Sequence, residues 1–227
     1  MYTDPIYADS SGIFDDALLA HTDTSWSNVR NDTTSTTYSE GLSYANFGVY
    51  ARRQATRGGG VNYYNYRSFF SFNLSAYEGK QVEAADIYIH ALVQLGSNEN
   101  VTRLVIALNQ LNGNTGDYGS IMGLSNAMVA ISDKTTCGVG LTHTKFKLNS
   151  TGIDAINRIT MDNKTPLGST IALQCAIVSD KWDYNDTTPG LFDQTKIRIY
   201  YAEQAGSKPY LKLKIADYNN MSLGVNF

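Results

Sequence analysis

Two segments near the end of the chain, residues 195–202 (TKIRIYYA) and 210–215 (YLKLKI), alternate apolar and polar side chains with a period of two. Their apolar positions are Ile197, Ile199 and Tyr201 in the first segment and Leu211, Leu213 and Ile215 in the second. Strict alternation is typical of strands that bury one face and expose the other, as in antiparallel sheets. The pattern therefore predicts a β-sandwich, a scaffold that usually works through its loops and surface.

Further strands are predicted in the middle of the chain. One covers residues 47–54, and residues 66–74 (YRSFFSFNL) and 85–93 (ADIYIHALV) each carry one apolar face. Residues 102–108 and 169–178 are apolar at most positions, which is typical of strands that are buried on both faces. These segments supply the centre of the predicted sheets.

Less regular structure is expected elsewhere. Residues 1–45 predict an irregular segment that packs on the sandwich, residues 109–140 predict long connections with one or two weak strands, and residues 217–227 predict a C-terminal extension. A chain of this length suits one domain, over residues 1–216. The predicted fold is all-β: a single antiparallel β-sandwich of jelly-roll type with one short helix and long loops.

The one helix is predicted at residues 149–159 (NSTGIDAINRI). Asn149 or Ser150 can cap it, and Ile153 and Ile156 fall on one face toward the core. A shorter helical turn is expected within residues 23–31, where Trp26 would close one end of the sandwich.

The composition predicts a polar but weakly charged surface. Charged residues make up 17% of the chain, below the usual level of about 25%, the formal net charge is −3, and the chain has 16 tyrosines. This balance gives no basic patch, so we expect no nucleic-acid partner. No apolar run approaches the roughly 20 residues of a membrane span, and the first residues do not resemble a secretion signal. We therefore expect no membrane insertion.

The two cysteines lie on separate segments. Cys175 shares the inward parity of Leu173 and Ile177, so a reduced thiol in the core is the simpler interpretation. A disulfide between Cys137 and Cys175 is the alternative.

The loop of residues 179–190 (SDKWDYNDTTPG) contains hard oxygen ligands of the type that calcium takes. They are Asp180, Asp183, Asp186 and Asn185. Asp and Asn also occur in loops for turn formation alone. Turn formation is the preferred interpretation, and no metal site is predicted.

Zinc binding and catalysis are not expected either. His21, His90 and His143 lie on separate segments without a ligand pair. Asp15 and Asp16 are adjacent, so their side chains would point to opposite sides of an extended chain. No nucleophile motif or phosphate loop is present in the sequence. The sequence predicts a protein that is not an enzyme and that needs no cofactor.

Carbohydrate binding by a sandwich needs exposed aromatic rings beside hydrogen-bonding groups. The candidates are Trp182, Asp183 and Tyr184 in the acidic loop, and Tyr63, Tyr64 and Tyr66 after the glycine loop of residues 57–60. Tyrosine also favours β surfaces and protein interfaces, so a structural or interface role is the alternative for each cluster.

Several motifs resemble one known family. They are YRSFFSFNLS with Arg67 at its start, FKLNSTGIDAIN followed by GSTIALQCAIVSD, and YAEQAG followed by PYLKL. Together with TSWSNVRND, they resemble the carbohydrate-binding-module-like β-sandwich family called DNRLRE, over most of residues 10–216. The variants in phage and environmental viral structural proteins are the most similar, although Asn73 stands where the family usually has Asp.

The resemblance implies a sandwich fold and several settings, because family members serve as modules of polysaccharide enzymes, as surface proteins and as virion parts. A chain that begins with Met, without a catalytic domain, favours a non-enzymatic virion protein of a phage or related virus. We expect capsid decoration or a head- or tail-fibre role, with copies of itself, other virion proteins and possible host glycans as partners. The ends MYTDP and SLGVNF, including Phe227, are expected to contact neighbouring copies.

Two other functions stay open. The first is a carbohydrate-binding module of a secreted or cell-surface polysaccharide-active protein, which would place the chain outside the cell. The second is a polysaccharide lyase or hydrolase on the same scaffold.

Overall fold

A computed structural model describes residues 1–8, 16–140, 142–161 and 171–216. The strands are β1 (Ile6–Tyr7), β2 (Ala17–Asp23), β3 (Thr37–Glu40), β4 (Tyr44–Ala55), β5 (Val61–Asn73), β6 (Val82–Val93), β7 (Val101–Ile106), β8 (Thr135–Thr136), β9 (His143–Lys147), β10 (Ala172–Ser179), β11 (Gln194–Tyr200) and β12 (Tyr210–Ile215). Two α-helices accompany them, α1 (Trp26–Asn31) and α2 (Ser150–Met161). The expectation of an all-β fold is confirmed.

The strands pair antiparallel in the order β1-β12-β6-β11-β4-β5-β10-β7-β8, with β2 and β3 beside β5 and with β9 beside β6. Strands β1, β12, β6 and β9 form one sheet of the sandwich. The last residues of β6 also pair with β11, where Val93 lies opposite Ile197. Strand β6 therefore belongs to both layers, and its side chains connect them. The finer assignment to a jelly roll stays a prediction.

The main core lies between the two layers. Phe70 of β5, Ile89 of β6, Ile199 of β11 and Leu213 of β12 are fully buried in one cluster. The alternation of β11 and β12 therefore has the predicted parity. Helix α2 adds Ile156 to the same cluster, as its apolar face predicts.

A second, smaller hydrophobic cluster covers the opposite face of β5, β7 and β10. Phe69, Val105 and Ala176 pack there against Tyr118, which belongs to a 3₁₀ turn at Thr115–Ile121. Both faces of β7 and β10 are thus buried, as the continuous apolar runs predict.

The N-terminal segment was expected to be irregular, but it contains paired strands. Strand β2 pairs with β5 over seven positions, and β3 pairs with β2. The sequence ALLAHTD hides this strand because Leu18 and Leu19 are adjacent and break the alternation. The segment MYTDP lies along β12, where the backbone N–H of Thr3 donates to the Leu213 carbonyl at 2.8 Å. The predicted contacts of SLGVNF and Phe227 lie outside the described residues.

Cys137 and Cys175 are both buried, free thiols, in agreement with the simpler interpretation. Burial raises the pKa of Cys137 to about 11 and that of Cys175 to about 12. Both thiols are therefore protonated near neutral pH and behave as small apolar side chains.

Candidate functional site

The acidic loop after β10 is folded into the protein. Trp182 is only 2% exposed and packs with Trp26, Val29 and Ala51 in a small separate cluster. The expectation that the Trp182 ring is available to a sugar is therefore wrong. Trp26 is buried as predicted, but it covers the face that carries Ala51 and Tyr63 and lies outside the main core.

The carboxylates of this loop face arginines. Arg67 of β5 donates from Nε and Nη2 to Asp183 at 2.8 and 2.7 Å, and both side chains are fully buried. Arg103 Nε donates to Asp180 at 2.8 Å, and Arg30 Nε lies 3.4 Å from Asp186.

Each of these three carboxylates therefore has a cationic partner within the protein. No group of three or more metal-ligating side chains occurs in the described parts of the chain. Asp183 is not available to a glycan, because its carboxylate is buried against Arg67.

The other expected aromatic residues are half-buried. Tyr184 lies under the Arg103 guanidinium at 4.4 Å, and Tyr63 packs beside Trp26 at 6.2 Å between ring centroids. Tyr64 and Tyr66 contact the ring of Tyr50 at 6.2 and 5.2 Å. Sugar contact by these residues stays a prediction, namely for Tyr63, Tyr64, Tyr66 and Tyr184.

A different set of rings forms a continuous row across the outer face of the sheet. Tyr7 contacts Tyr210 at 6.0 Å between centroids, and Tyr210 stacks on Tyr88 at 4.6 Å with planes 13° apart. Farther along, Tyr200 contacts Tyr44 at 5.8 Å. We call these five residues the tyrosine row. It crosses β1, β12, β6, β11 and β4, and register places its members on the side away from the core.

Two histidines connect the halves of the row. His90 and His143 lie directly opposite each other in β6 and β9, with ring centroids 5.3 Å apart. His143 contacts Tyr210 at 5.2 Å, and His90 contacts Tyr200 at 4.5 Å. The sequence has these histidines on separate segments, and only the register of β6 and β9 brings them together.

The two histidines differ in their surroundings. His143 is half-buried, and its Nε2 lies 3.2 Å from the Lys208 carbonyl. His90 is 7% exposed, and neither of its ring nitrogens has a hydrogen-bond partner among the described residues. Burial lowers the pKa of His90 below its usual value, and the neighbouring His143 lowers it further.

A cleft of about 420 Å³ opens at one end of the tyrosine row, where Tyr7, Tyr210 and His143 meet Gly206 and Lys208. Tyr7 and Tyr44 are 54% and 47% exposed, so rings at both ends of the row are open to a ligand.

A charged pair flanks the same face. Lys145 Nζ lies 2.8 Å from Asp86 and 5.9 Å from the Tyr88 ring. The Asp86 carboxylate is almost completely buried, so Lys145 compensates its charge. Aromatic rings, phenol hydroxyls and a compensated charge make a surface that can bind a polar ligand with apolar faces.

Sequence reasoning missed this row because its members come from five strands. Tyr88, Tyr200 and Tyr210 sit at polar positions of alternating strands, and that was the available signal. Strand order and register, which cannot be read from the sequence alone, decide which of the many tyrosines are neighbours.

No family model matches this chain, and no curated protein matches it in sequence. The relationship to the DNRLRE family therefore stays a proposal that rests on the motifs quoted above. Among the described residues, no helix is long and apolar enough to cross a membrane.

Proposed function

We propose that this chain is a non-enzymatic structural protein that binds polysaccharide through the tyrosine row. The row itself carries the proposal: rings from five strands meet on one surface, next to a cleft large enough for a sugar unit. Sugar rings expose C–H faces that pack on aromatic rings, and their hydroxyls bind polar groups nearby.

The setting that we propose is the surface of a virus particle, where the protein decorates a capsid or forms part of a fibre. Support for this setting comes from the resemblance to viral DNRLRE variants. The alternative setting is an extracellular module of a polysaccharide-active protein. Neighbouring genes for capsid and tail proteins would support the first setting, and a neighbouring secreted depolymerase would support the second.

The binding test uses depletion of the purified chain by insoluble cellulose, chitin, xylan and mannan. We expect Tyr7→Ala and Tyr44→Ala each to weaken retention by roughly 0.5–1.5 kcal/mol, or two- to tenfold, the usual value of an aromatic contact. Both side chains are about half exposed, so these changes leave the core intact. Tyr38→Ala on β3 is the control for loss of a tyrosine outside the row, and thermal unfolding checks its folding because the Tyr38 ring packs on the cluster around Phe69.

Equal retention of all three variants would place the sugar site elsewhere. If none of the four polysaccharides retains the protein and the chain self-associates in light scattering, the row instead serves as an interface between copies. Tyrosine-rich surfaces also occur in such interfaces.

A further inference from the structure

We propose that His90 makes polysaccharide binding by the tyrosine row sensitive to pH, because a protonated His90 cannot keep its buried place between Tyr200 and His143. The inference rests on the proposed function and adds its regulation. His90 itself is too buried to contact a ligand, so it acts as a positioning residue for the rings around it.

The His90 ring is surrounded by side chains from four other strands. On β6, Tyr88 and Asp86 precede it on the same face, and the Asp86 carboxylate is paired with Lys145 of β9. Strand β9 presents His143 directly opposite. Strand β11 presents Tyr200 and Arg198, whose Nη1 donates to the Tyr200 hydroxyl at 3.4 Å. Strand β4 adds Tyr44 behind Tyr200, and β12 adds Tyr210 behind His143.

None of these groups accepts a hydrogen bond from a His90 nitrogen. The side chains that contact the His90 ring are aromatic, and the Asp86 carboxylate on the same strand is already paired with Lys145. A proton on His90 would therefore place a charge where neither water nor a carboxylate stabilises it.

His143 is held beside His90 by a hydrogen bond of its own. The carbonyl of Lys208 can only accept a hydrogen bond, so His143 donates to it from Nε2 at 3.2 Å. This bond fixes the His143 ring 5.3 Å from the His90 ring, and His143 accepts no hydrogen bond from a His90 nitrogen.

Protonation of His90 therefore changes the arrangement of the tyrosine row. A His90 ring that is protonated gains hydration only by rotating toward solvent, which removes its contact with Tyr200. The tyrosine row then separates into the pair of Tyr200 and Tyr44 and the group around Tyr210. A polysaccharide that spans the row binds only the arrangement with neutral His90, so acidification weakens its binding.

The test measures retention of the wild-type protein between pH 8 and pH 5, the range in which histidine changes charge. The probe is whichever of cellulose, chitin, xylan and mannan retains the protein at pH 8. Cellulose and mannan carry no titrating groups, and the chitin and xylan used must be fully acetylated and free of uronic acids, respectively. We expect retention to fall as the pH drops from 8 to 5, because binding requires neutral His90 and acidification populates its protonated form. His90→Phe keeps a ring at this position but cannot be protonated, so whatever its retention at pH 8, the same retention should persist at pH 5.

A second measurement does not depend on that variant. In NMR titrations of the wild type, the ring signals of Tyr200 should shift with the same midpoint as those of His90. No retention at pH 8 overturns the proposed function and this inference with it. Retention at pH 8 that persists at pH 5, or Tyr200 signals that ignore the His90 midpoint, overturns the inference alone.

Discussion

At the scale of single residues, the most informative contact is the ion pair between Arg67 and Asp183. Arg67 also donates to the carbonyls of Tyr118 and Arg30 at 2.9 and 2.7 Å, so one guanidinium connects β5, α1 and the loop after β10. Its ring contact with Tyr118, at 4.0 Å, covers its face. The resemblance placed an Arg at this point of the strand, but nothing in the sequence indicated Asp183 as its partner.

Arg67→Met should therefore be strongly destabilising. It leaves the buried Asp183 carboxylate without its partner, which typically costs roughly 3–5 kcal/mol in the free energy of unfolding. Denaturant titration measures this loss. The exposed pair of Lys214 and Glu83 offers the control, since Lys214→Met should cost about 1 kcal/mol or less. Similar losses in both variants would contradict a special role for the buried pair.

The cysteines give a second prediction at this scale. Because their pKa is raised, neither thiol should react with a thiol reagent at pH 8 in the folded protein, and both should react in guanidinium chloride. The folded state holds these protons more tightly than the unfolded state. Their contribution to stability is complete below the unfolded pKa, and for Cys137 it declines as pH rises from 9.0 to about 11.

Rapid labelling of native protein at pH 8 would show that one of the thiols is accessible. Replacing both cysteines by alanine measures how much of the pH dependence of stability comes from these thiols. This variant should lose the decline in stability just above pH 9.0.

At the scale of elements, the period of the apolar residues and the helix-capping residues predicted most of the helices and strands. Helix α2 begins at Ser150, and the Asn149 side chain accepts a bond from the Gly152 N–H at 3.0 Å. Strands β11 and β12 follow their alternation, since each has one dry face. Strand β2 escaped prediction because its neighbours cover both sides, which removes the pattern that sequence reasoning uses.

Helix α2 also contains a glycine that packing requires. A Cβ at Gly152 would lie 2.5 Å from the Ile131 carbonyl oxygen. Alanine normally stabilises a helix by about 1 kcal/mol relative to glycine. Here we expect Gly152→Ala to destabilise the protein by roughly 1–3 kcal/mol, because the helix must move away from the backbone of residue 131.

Thermal unfolding measures the effect. Gly58→Ala is the matched control, because no atom lies within 4 Å of the point that its new methyl group would occupy, and the change should be nearly neutral. A stabilising Gly152→Ala would show that the contact with Ile131 is looser than the structure indicates.

At the scale of the whole molecule, the sandwich was predictable and the candidate site was not. Parity assigns Tyr88, Tyr200 and Tyr210 to outward positions, and this much can be read from the sequence. Parity does not reveal that β12 lies next to β6, or that β9 brings His143 to His90. The prediction of an exposed Trp182 ring was wrong, because loop composition does not reveal that a ring folds back onto a neighbouring sheet.

The pairing of β4 with β11 has a consequence for biosynthesis. Strand β4 ends at Ala55, yet its partner β11 starts only at Gln194. A ribosome adds roughly 5–20 residues each second, so the edge of β4 waits for several seconds before its partner emerges. During this interval nascent chains present an open strand edge to one another, and holding factors that cover this edge would favour a high yield of folded protein.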